Sequence, residues 1–246
     1  MLAKRLLCLA ALGLVPAWAR ASALDDLIAR HIEARGGLAR IKALQSVRMT
    51  GTASAGPGRV AVVTREVKRP GRLRMEFAFQ GVTAVFAWDG RRGFQVSPLD
   101  GSLEPRPLSP ENTELALEQA DIEGPLVDWR AKGHRLELLG REKLEGSEAF
   151  KLKLTLASGP VRYLYLDGKS CLLVRSETAR TLRGRELQLE TTLADYKPEG
   201  GLMFPHVIES GASGRPARLK VVVDKVELNP PLDDSRFELP ESLRSP

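Results

Sequence analysis

The sequence predicts a mainly β fold, in which a large antiparallel sheet curls round an apolar interior and helical segments flank it. Three observations support this prediction. Apolar and polar residues alternate with a period of two over most of the chain, which is typical of strands with one dry and one wet face. Turn signals that contain glycine separate these segments. Helical spacing is confined to the beginning of the chain and to one interruption between two groups of strands.

The first residues predict an export signal. Lys4 and Arg5 precede an almost entirely apolar run over residues 6–19, which is shorter than the roughly 20 residues that span a bilayer. Two sites with small residues suit a signal peptidase: Ala17-Trp18-Ala19 and Ala21-Ser22-Ala23. We expect residues 1–23 to be a signal peptide and residues 24–246 to form a single domain in the periplasm. An uncleaved membrane anchor remains the alternative.

Charge and cysteine content narrow the class of protein further. Removal of residues 1–23 leaves 34 basic and 31 acidic residues, a net charge of +3 instead of the +6 of the full chain. Such a small excess does not indicate a nucleic-acid partner. Cys8 lies inside the apolar run, so it does not mark a lipoprotein cleavage site. Cys171 alone remains in the exported chain, so an intramolecular disulfide is impossible and the core must provide the stability.

The exported chain begins with a predicted helix. Apolar residues recur at helical spacing from Leu24 to Ile32, and Asp25 and Asp26 occupy the first turn, where the helix dipole favours acids. Gly36-Gly37 ends or bends this helix. One or two further helical turns are expected before residue 45.

A first group of strands follows. Four apolar side chains of residues 72–79 share one face, and four of residues 82–88 share another. Gln80-Gly81 and Asp89-Gly90 mark turns between neighbouring strands. The members of the two faces are Leu73, Met75, Phe77 and Phe79, then Val82, Ala84, Phe86 and Trp88.

A helical interruption separates this group from the later strands. Ser109-Pro110 predicts a helix start, with an N-cap serine and proline at the first helical position. Gly124-Pro125 must divide the helical stretch into two pieces. Strands then continue nearly to the end of the chain, which gives ten or eleven in total. A sheet of that size tends to curl or close, so we expect the helical segments to cover its concave face.

The chemistry-bearing residues do not form a recognisable catalytic or metal motif. The histidines His31, His134 and His206 lack ligand spacing to one another or to cysteine, so neither a metal nor another cofactor is expected. Ser and Cys candidates lack a nucleophile motif, and Cys171 is interpreted as a small core residue. We therefore expect a protein that is not an enzyme.

Aromatic residues give the best candidate site. They cluster on three successive predicted strands of a chain that is otherwise poor in aromatics. They either fill a core or line a cavity for an apolar ligand, and periodicity cannot distinguish these two roles. The predicted wall residues are Met75, Phe77, Phe79, Phe86, Trp88 and Phe94, and the predicted covering residues are Leu115, Ile122 and Trp129.

Several segments resemble a bacterial family of outer-membrane lipoprotein-sorting proteins, which is similar to the LolA/LolB-like periplasmic carriers. The opening over residues 32–51, the strand pair over residues 195–206 and the closing segment over residues 229–240 carry this resemblance. It implies a curved antiparallel half-barrel of about 11 strands, with a helical lid over a hydrophobic cavity. The matched motifs are turn and packing elements, so they leave the cargo open.

The resemblance implies a periplasmic carrier of lipid or lipoprotein acyl chains. Such a monomeric carrier would exchange its cargo with partner proteins of the inner or outer membrane. The alternative is an envelope sensor or interaction module with the same fold and a filled interior. Fold analogy alone does not decide between these functions.

Overall fold

The computed structural model describes residues 17–56, 58–98, 101–182, 185–215 and 218–243. The helices are α1 (Ala17–Ala34), α2 (Leu38–Ala43) and α3 (Pro110–Gln119), and two 3₁₀ turns lie at Asp234–Arg236 and Glu241–Leu243. The first six strands are β1 (Ser46–Ser54), β2 (Val60–Lys68), β3 (Arg72–Phe79), β4 (Val82–Trp88), β5 (Gly93–Ser97) and β6 (Ser102–Pro107). The other strands are β7 (Arg135–Leu144), β8 (Ser147–Thr155), β9 (Val161–Asp167), β10 (Leu173–Leu182), β11 (Arg185–Glu199), β12 (Leu202–Ala212) and β13 (Arg218–Leu228).

All thirteen strands belong to one antiparallel sheet, in the order β6-β5-β4-β3-β2-β1-β13-β12-β11-β10-β9-β8-β7. Each strand pairs with its neighbour in sequence, except at the centre, where β1 pairs with β13. In the described part of the chain β6 and β7 remain edges, so the sheet is a curved half-barrel. We call the face against which α1 and α3 pack the inner face, and the opposite one the outer face.

Helix α1 covers the inner face of the later strands. Leu24, Leu27 and Ile28 of this helix join leucines of β7 to β9 in one buried cluster, in which Leu152 and Leu154 are fully buried. Every second residue of β8 faces inward, so the alternation of apolar and polar residues in the sequence places its leucines together on the inner face. This half of the interior is therefore filled by the protein's own side chains.

Helix α2 and the turn that follows α3 close one end of the half-barrel. Ile41 and Val127 are fully buried there, beside Val47 and Leu202. The carboxylate of Glu123 accepts hydrogen bonds from Lys42 at 2.8 Å and from Arg69 at 2.7 Å. Burial raises the pKa of Glu123, but these two hydrogen bonds outweigh it and hold the pKa below its usual value.

The last segment of the chain packs on the outer face of the early strands. Phe237 is fully buried, and Leu239 contacts the cluster of Ala87 and Phe94. The guanidinium of Arg236 donates to Glu66 at 2.7 Å, and Arg48 donates to the same carboxylate at 2.8 Å. The early strands are thus covered on both faces near their centre.

The fold prediction is confirmed, with two corrections to its elements. The sheet has thirteen strands, because β2 and β6 were not recognised. Apolar residues lie on both faces of β2 and Arg65 points inward, while β6 is an edge strand that contains two prolines. The second helical piece after Gly124-Pro125 is a series of turns.

The predicted signal peptide lies outside the described residues as far as residue 16, and helix α1 includes both predicted cleavage sites. Of the described helices, none is at once long and apolar enough to cross a bilayer.

Candidate functional site

Strands β3 and β4 form an apolar wall on the inner face. Leu73 of β3 lies opposite Trp88 of β4, and Met75 lies opposite Phe86. The next pairs along the same face join Phe77 to Ala84 and Phe79 to Val82. Alternation therefore places eight apolar side chains side by side on two adjacent strands.

Helix α3 covers one half of this wall. Leu73 and Trp88 are buried in a cluster with Ala116 and Ala120. Met75 and Phe86 pack against its edge. The small alanines let the helix approach the strands closely, so this half of the wall is a packed core.

The wall continues beyond α3, where it is less buried. Phe77, Phe79 and Ala84 are only half-buried, and Val82 is 37% exposed. We call these four residues the open strip. On the β2 side the strip borders Val63, which lies opposite Phe77 and is buried. The inner face thus retains an apolar surface that the described helices do not cover fully.

Polar contacts attach α3 to both halves of the sheet. The side chain of Asn112 donates to Gln95 of β5 at 2.7 Å, and Arg65 of β2 donates to the carbonyl oxygen of Gln119 at 2.7 Å. Burial lowers the pKa of Arg65 to about 10, so its guanidinium remains charged at neutral pH. A cation at the last carbonyls of a helix also interacts favourably with the helix dipole.

A second attachment joins α3 to the later strands. The carboxylate of Glu118 forms ion pairs with Arg162 of β9 and Arg180 of β10. All three side chains are less than one-fifth exposed. Burial first, and then repulsion from Arg180, lowers the pKa of Arg162 to about 10, and burial lowers the pKa of Arg180 as well. These charges are desolvated, so each depends strongly on its partner.

A cavity of about 420 Å³ lies beside this ion-pair cluster. One side is formed by α3, including Leu115 and Glu118, and the other by Pro160 and by residues of β10, including Thr178 and Arg180. Its wall therefore combines aliphatic carbon with a buried pair of charges.

The structure brings most of the predicted site residues together. Trp88, Met75 and Phe86 lie under α3, while Phe77 and Phe79 belong to the open strip. This placement separates the predicted wall into a packed part and an accessible part. Whether the accessible part binds a ligand stays a prediction.

Phe94 requires a correction, because it does not belong to this wall. Its neighbour Gly93 lies opposite Trp88, whereas Phe94 itself lies opposite Ala87 and faces outward. It packs there against Leu239 of the last segment. The sequence pattern failed because the apolar residues of β5, Phe94 and Val96, lie on the outer face under the last segment, while the polar Gln95 faces inward.

The predicted covering residues do not share one helix face. Leu115 is half-buried in α3 and lines the cavity. Ile122 and Trp129 belong to the turns after α3. Ile122 packs between two core clusters, and Trp129 packs against the α1 cluster with Arg130 4.1 Å above its ring.

Sequence reasoning missed the arginines of the inner face. Arg65, Arg162 and Arg180 occupy inward positions, as the registers with Met75, Leu154 and Leu187 show. The sequence did contain a pattern that indicates them. Arg162 stands at the same alternate positions of its strand as Leu164 and Leu166, which predicts that all three side chains lie on one face. A charged residue at an inward position needs a buried partner: Glu118 pairs with Arg162 and Arg180, and the carbonyl oxygen of Gln119 accepts from Arg65.

The buried nucleophile and imidazole have structural partners. His31 uses Nδ1 to donate to the carbonyl oxygen of Cys171 at 2.8 Å, and Arg30 lies 3.1 Å from the Cys171 sulfur. Within the described ranges, no group of three or more His, Cys, Asp or Glu side chains could hold a metal ion.

Comparison with known proteins gives a likeness of structure alone. No family model matches the sequence, and no curated protein matches it either. A LolA superfamily protein from Nitrosomonas europaea is 15% identical, with a TM-score of 0.56 over 87% of this chain and 97% of that chain. A domain from Vibrio parahaemolyticus described as an outer membrane lipoprotein-sorting protein domain is 14% identical, with a TM-score of 0.58 over 90% and 97%.

A third solved structure agrees with these two. A DUF1329 family protein from Desulfovibrio piger is 13% identical, with a TM-score of 0.58 over 89% of this chain and 97% of that chain. All three matches cover 97% of the other chain and most of this one, so the likeness is one of overall fold. The chain therefore has the fold of the LolA superfamily.

Proposed function

We propose that this chain is a periplasmic carrier that binds an apolar chain of a lipid or lipoprotein on its inner face and transports it toward the outer membrane. The observation that carries the proposal is the open strip. Its aromatic and aliphatic side chains continue a buried wall past α3 without being buried themselves. A monomeric protein in water gains by covering such a surface.

The free energy gained when an acyl chain leaves water is large enough for useful binding affinity. Each methylene that leaves water contributes about 0.8 kcal/mol, so a chain of several methylenes can exceed the entropic cost of association. The strip lies between α3 and one end of the strands, and a linear acyl chain suits that shape.

The remaining parts of the proposal follow from sequence and fold. Export to the periplasm is supported by the basic start and apolar run before residue 20. A carrier without catalysis is supported by the use of the inner-face charges in ion pairs that hold α3. The lipoprotein-sorting description of a structural relative supports the class of cargo by analogy.

The test is binding of a fluorescent fatty acid to the exported protein, together with native mass spectrometry of protein purified from its own periplasm. We expect co-purified lipid and saturable binding. The variants Phe77→Gln and Phe79→Gln should each weaken binding about tenfold, because a polar group at the strip removes apolar contact and costs desolvation.

Val62→Gln is the matched control for these variants. Val62 is 59% exposed and lies opposite Ala78, hence on the outer face. It should leave binding unchanged. Absence of co-purified lipid and of fatty-acid binding would reject the carrier and favour the envelope interaction module instead.

A further inference from the structure

The inner face carries an arrangement of charge that an acyl chain alone does not explain. Arg162 and Arg180 share the carboxylate of Glu118, and the charge of Glu114 on the same helix also acts on Arg180. Among the described residues, the Nε atom of Arg162 is buried and has no hydrogen-bond partner. The cluster thus has a buried donor that Glu118 does not satisfy.

The carboxylates near these arginines all belong to one helix. The cavity beside Arg180 is lined by Glu111, Glu114 and Glu118, and all three belong to α3. Both arginines belong to the sheet. Separation of α3 from the sheet would therefore remove these carboxylates together and leave both guanidiniums without an anionic partner. Arginine pairs of this kind are suited to carboxylate and phosphate oxygens.

The arginines lie at the same end of the sheet as the open strip. Strands β3 and β10 run in the same direction, because six antiparallel steps separate them in the sheet order. Phe79 ends β3, and Arg180 lies near the end of β10. Arg162 lies near the start of β9, beside Thr178 of β10. An apolar surface and a cationic site therefore occur on one face and at one end.

We propose that Arg162 and Arg180 bind the anionic headgroup, carboxylate or phosphate, of the amphiphile whose chain lies on the open strip. The headgroup takes the place of the Glu118 carboxylate and so releases α3 from the later strands. This inference rests on the proposed function, because it names the ligand class for the same groove. It assigns to the ligand an anionic group at one end of an apolar chain.

The experiment compares four probes on the exported protein: hexadecanoate, hexadecyl phosphate, hexadecanol and inorganic phosphate. We expect both anionic amphiphiles to bind at least about tenfold more tightly than hexadecanol, as one charge-assisted pair would provide. Inorganic phosphate should bind far more weakly than either. In the double variant Arg162→Met/Arg180→Met, the two anionic amphiphiles should no longer bind more tightly than hexadecanol, while hexadecanol itself should still bind.

Glu118→Gln tests the same site without removal of the arginines. It should raise the preference for the anionic amphiphiles over hexadecanol, because the competing carboxylate is gone. This variant keeps the test decisive if the double arginine variant does not fold. The matched control is Arg175→Met, since Arg175 shares the buried Glu190 with Arg218 in an equivalent cluster on the outer face.

The outcomes separate the two proposals. If no amphiphile binds, the carrier function fails and the headgroup site fails with it. If hexadecanol binds as well as hexadecanoate, the groove exists but the headgroup site is refuted. An unchanged preference in Glu118→Gln, or an equal loss of preference in Arg175→Met, also refutes it. Tight binding of inorganic phosphate alone would indicate an anion site unrelated to an acyl chain.

Discussion

The buried imidazole of His31 predicts a loss of stability in mild acid. His31 is 3% exposed, and its Nδ1 donates to the carbonyl oxygen of Cys171. Burial lowers the pKa of His31 from 6.5 to about 4; the hydrogen bond to Cys171 opposes this shift, and the nearby charge of Arg35 reinforces it. The folded protein therefore holds His31 neutral at pH values where the unfolded chain is protonated.

The sign of the effect follows from proton linkage. Between pH 6.5 and 4 the unfolded chain binds the extra proton, so the free energy of unfolding falls as the pH falls. At pH 4.5 this single group should destabilise the fold by about 2–3 kcal/mol relative to pH 7.5. That is a substantial part of the stability of an ordinary domain.

Urea unfolding followed by tryptophan fluorescence measures this effect. Both wild type and His31→Asn are unfolded at pH 7.5 and pH 4.5, and the variant retains a side-chain donor for Cys171 without titrating. The wild type should lose about 2–3 kcal/mol more than His31→Asn over this range. His134→Asn is the control, because burial also lowers the pKa of the half-buried His134, but by less. An equal loss in wild type and His31→Asn would refute the reasoning.

Two further substitutions test the close packing of the sheet and its end. Gly51→Ala should lower the free energy of unfolding by about 1–3 kcal/mol, since its Cβ would lie 2.0 Å from a backbone carbonyl oxygen of β13 at a bulge; unchanged urea unfolding would contradict this. Glu123→Gln should cost about 1–3 kcal/mol, because Lys42 and Arg69 lose a nearly buried charged acceptor. For this variant thermal unfolding is the measurement, and the loss should shrink at a pH low enough to protonate Glu123.

The architecture could be predicted from the sequence, and the elements that were predicted correctly share a physical cause. Strand β3 alternates apolar and polar residues from Arg72 to Phe77, and β8 does so from Phe150 to Thr155, because in each the apolar side chains share the packed inner face. Ser109 caps α3 as expected, since its side chain accepts from the backbone of Asn112. Local chemistry determined these elements, so local patterns could predict them.

The parts of the site that depend on distant partners could not be predicted in this way. Arg162 and Arg180 face inward and pair with Glu118 of α3, and no local pattern shows that pairing. Phe94 faces outward because the last segment of the chain covers it there. Such positions are decided by tertiary contacts, which a single sequence does not display.

The order of the strands links the opening of the half-barrel to the position of α3. Its two edges, β6 and β7, are consecutive along the chain, and the segment that joins them is the one that contains α3. Its middle is the seam between the first and last strands. The connection between the edges therefore works as a tether of fixed length across the opening, while the seam is the most distant pairing for the folding chain to form. Any widening of the opening must pull on α3, so access to the interior and the position of that helix are linked by the covalent chain itself.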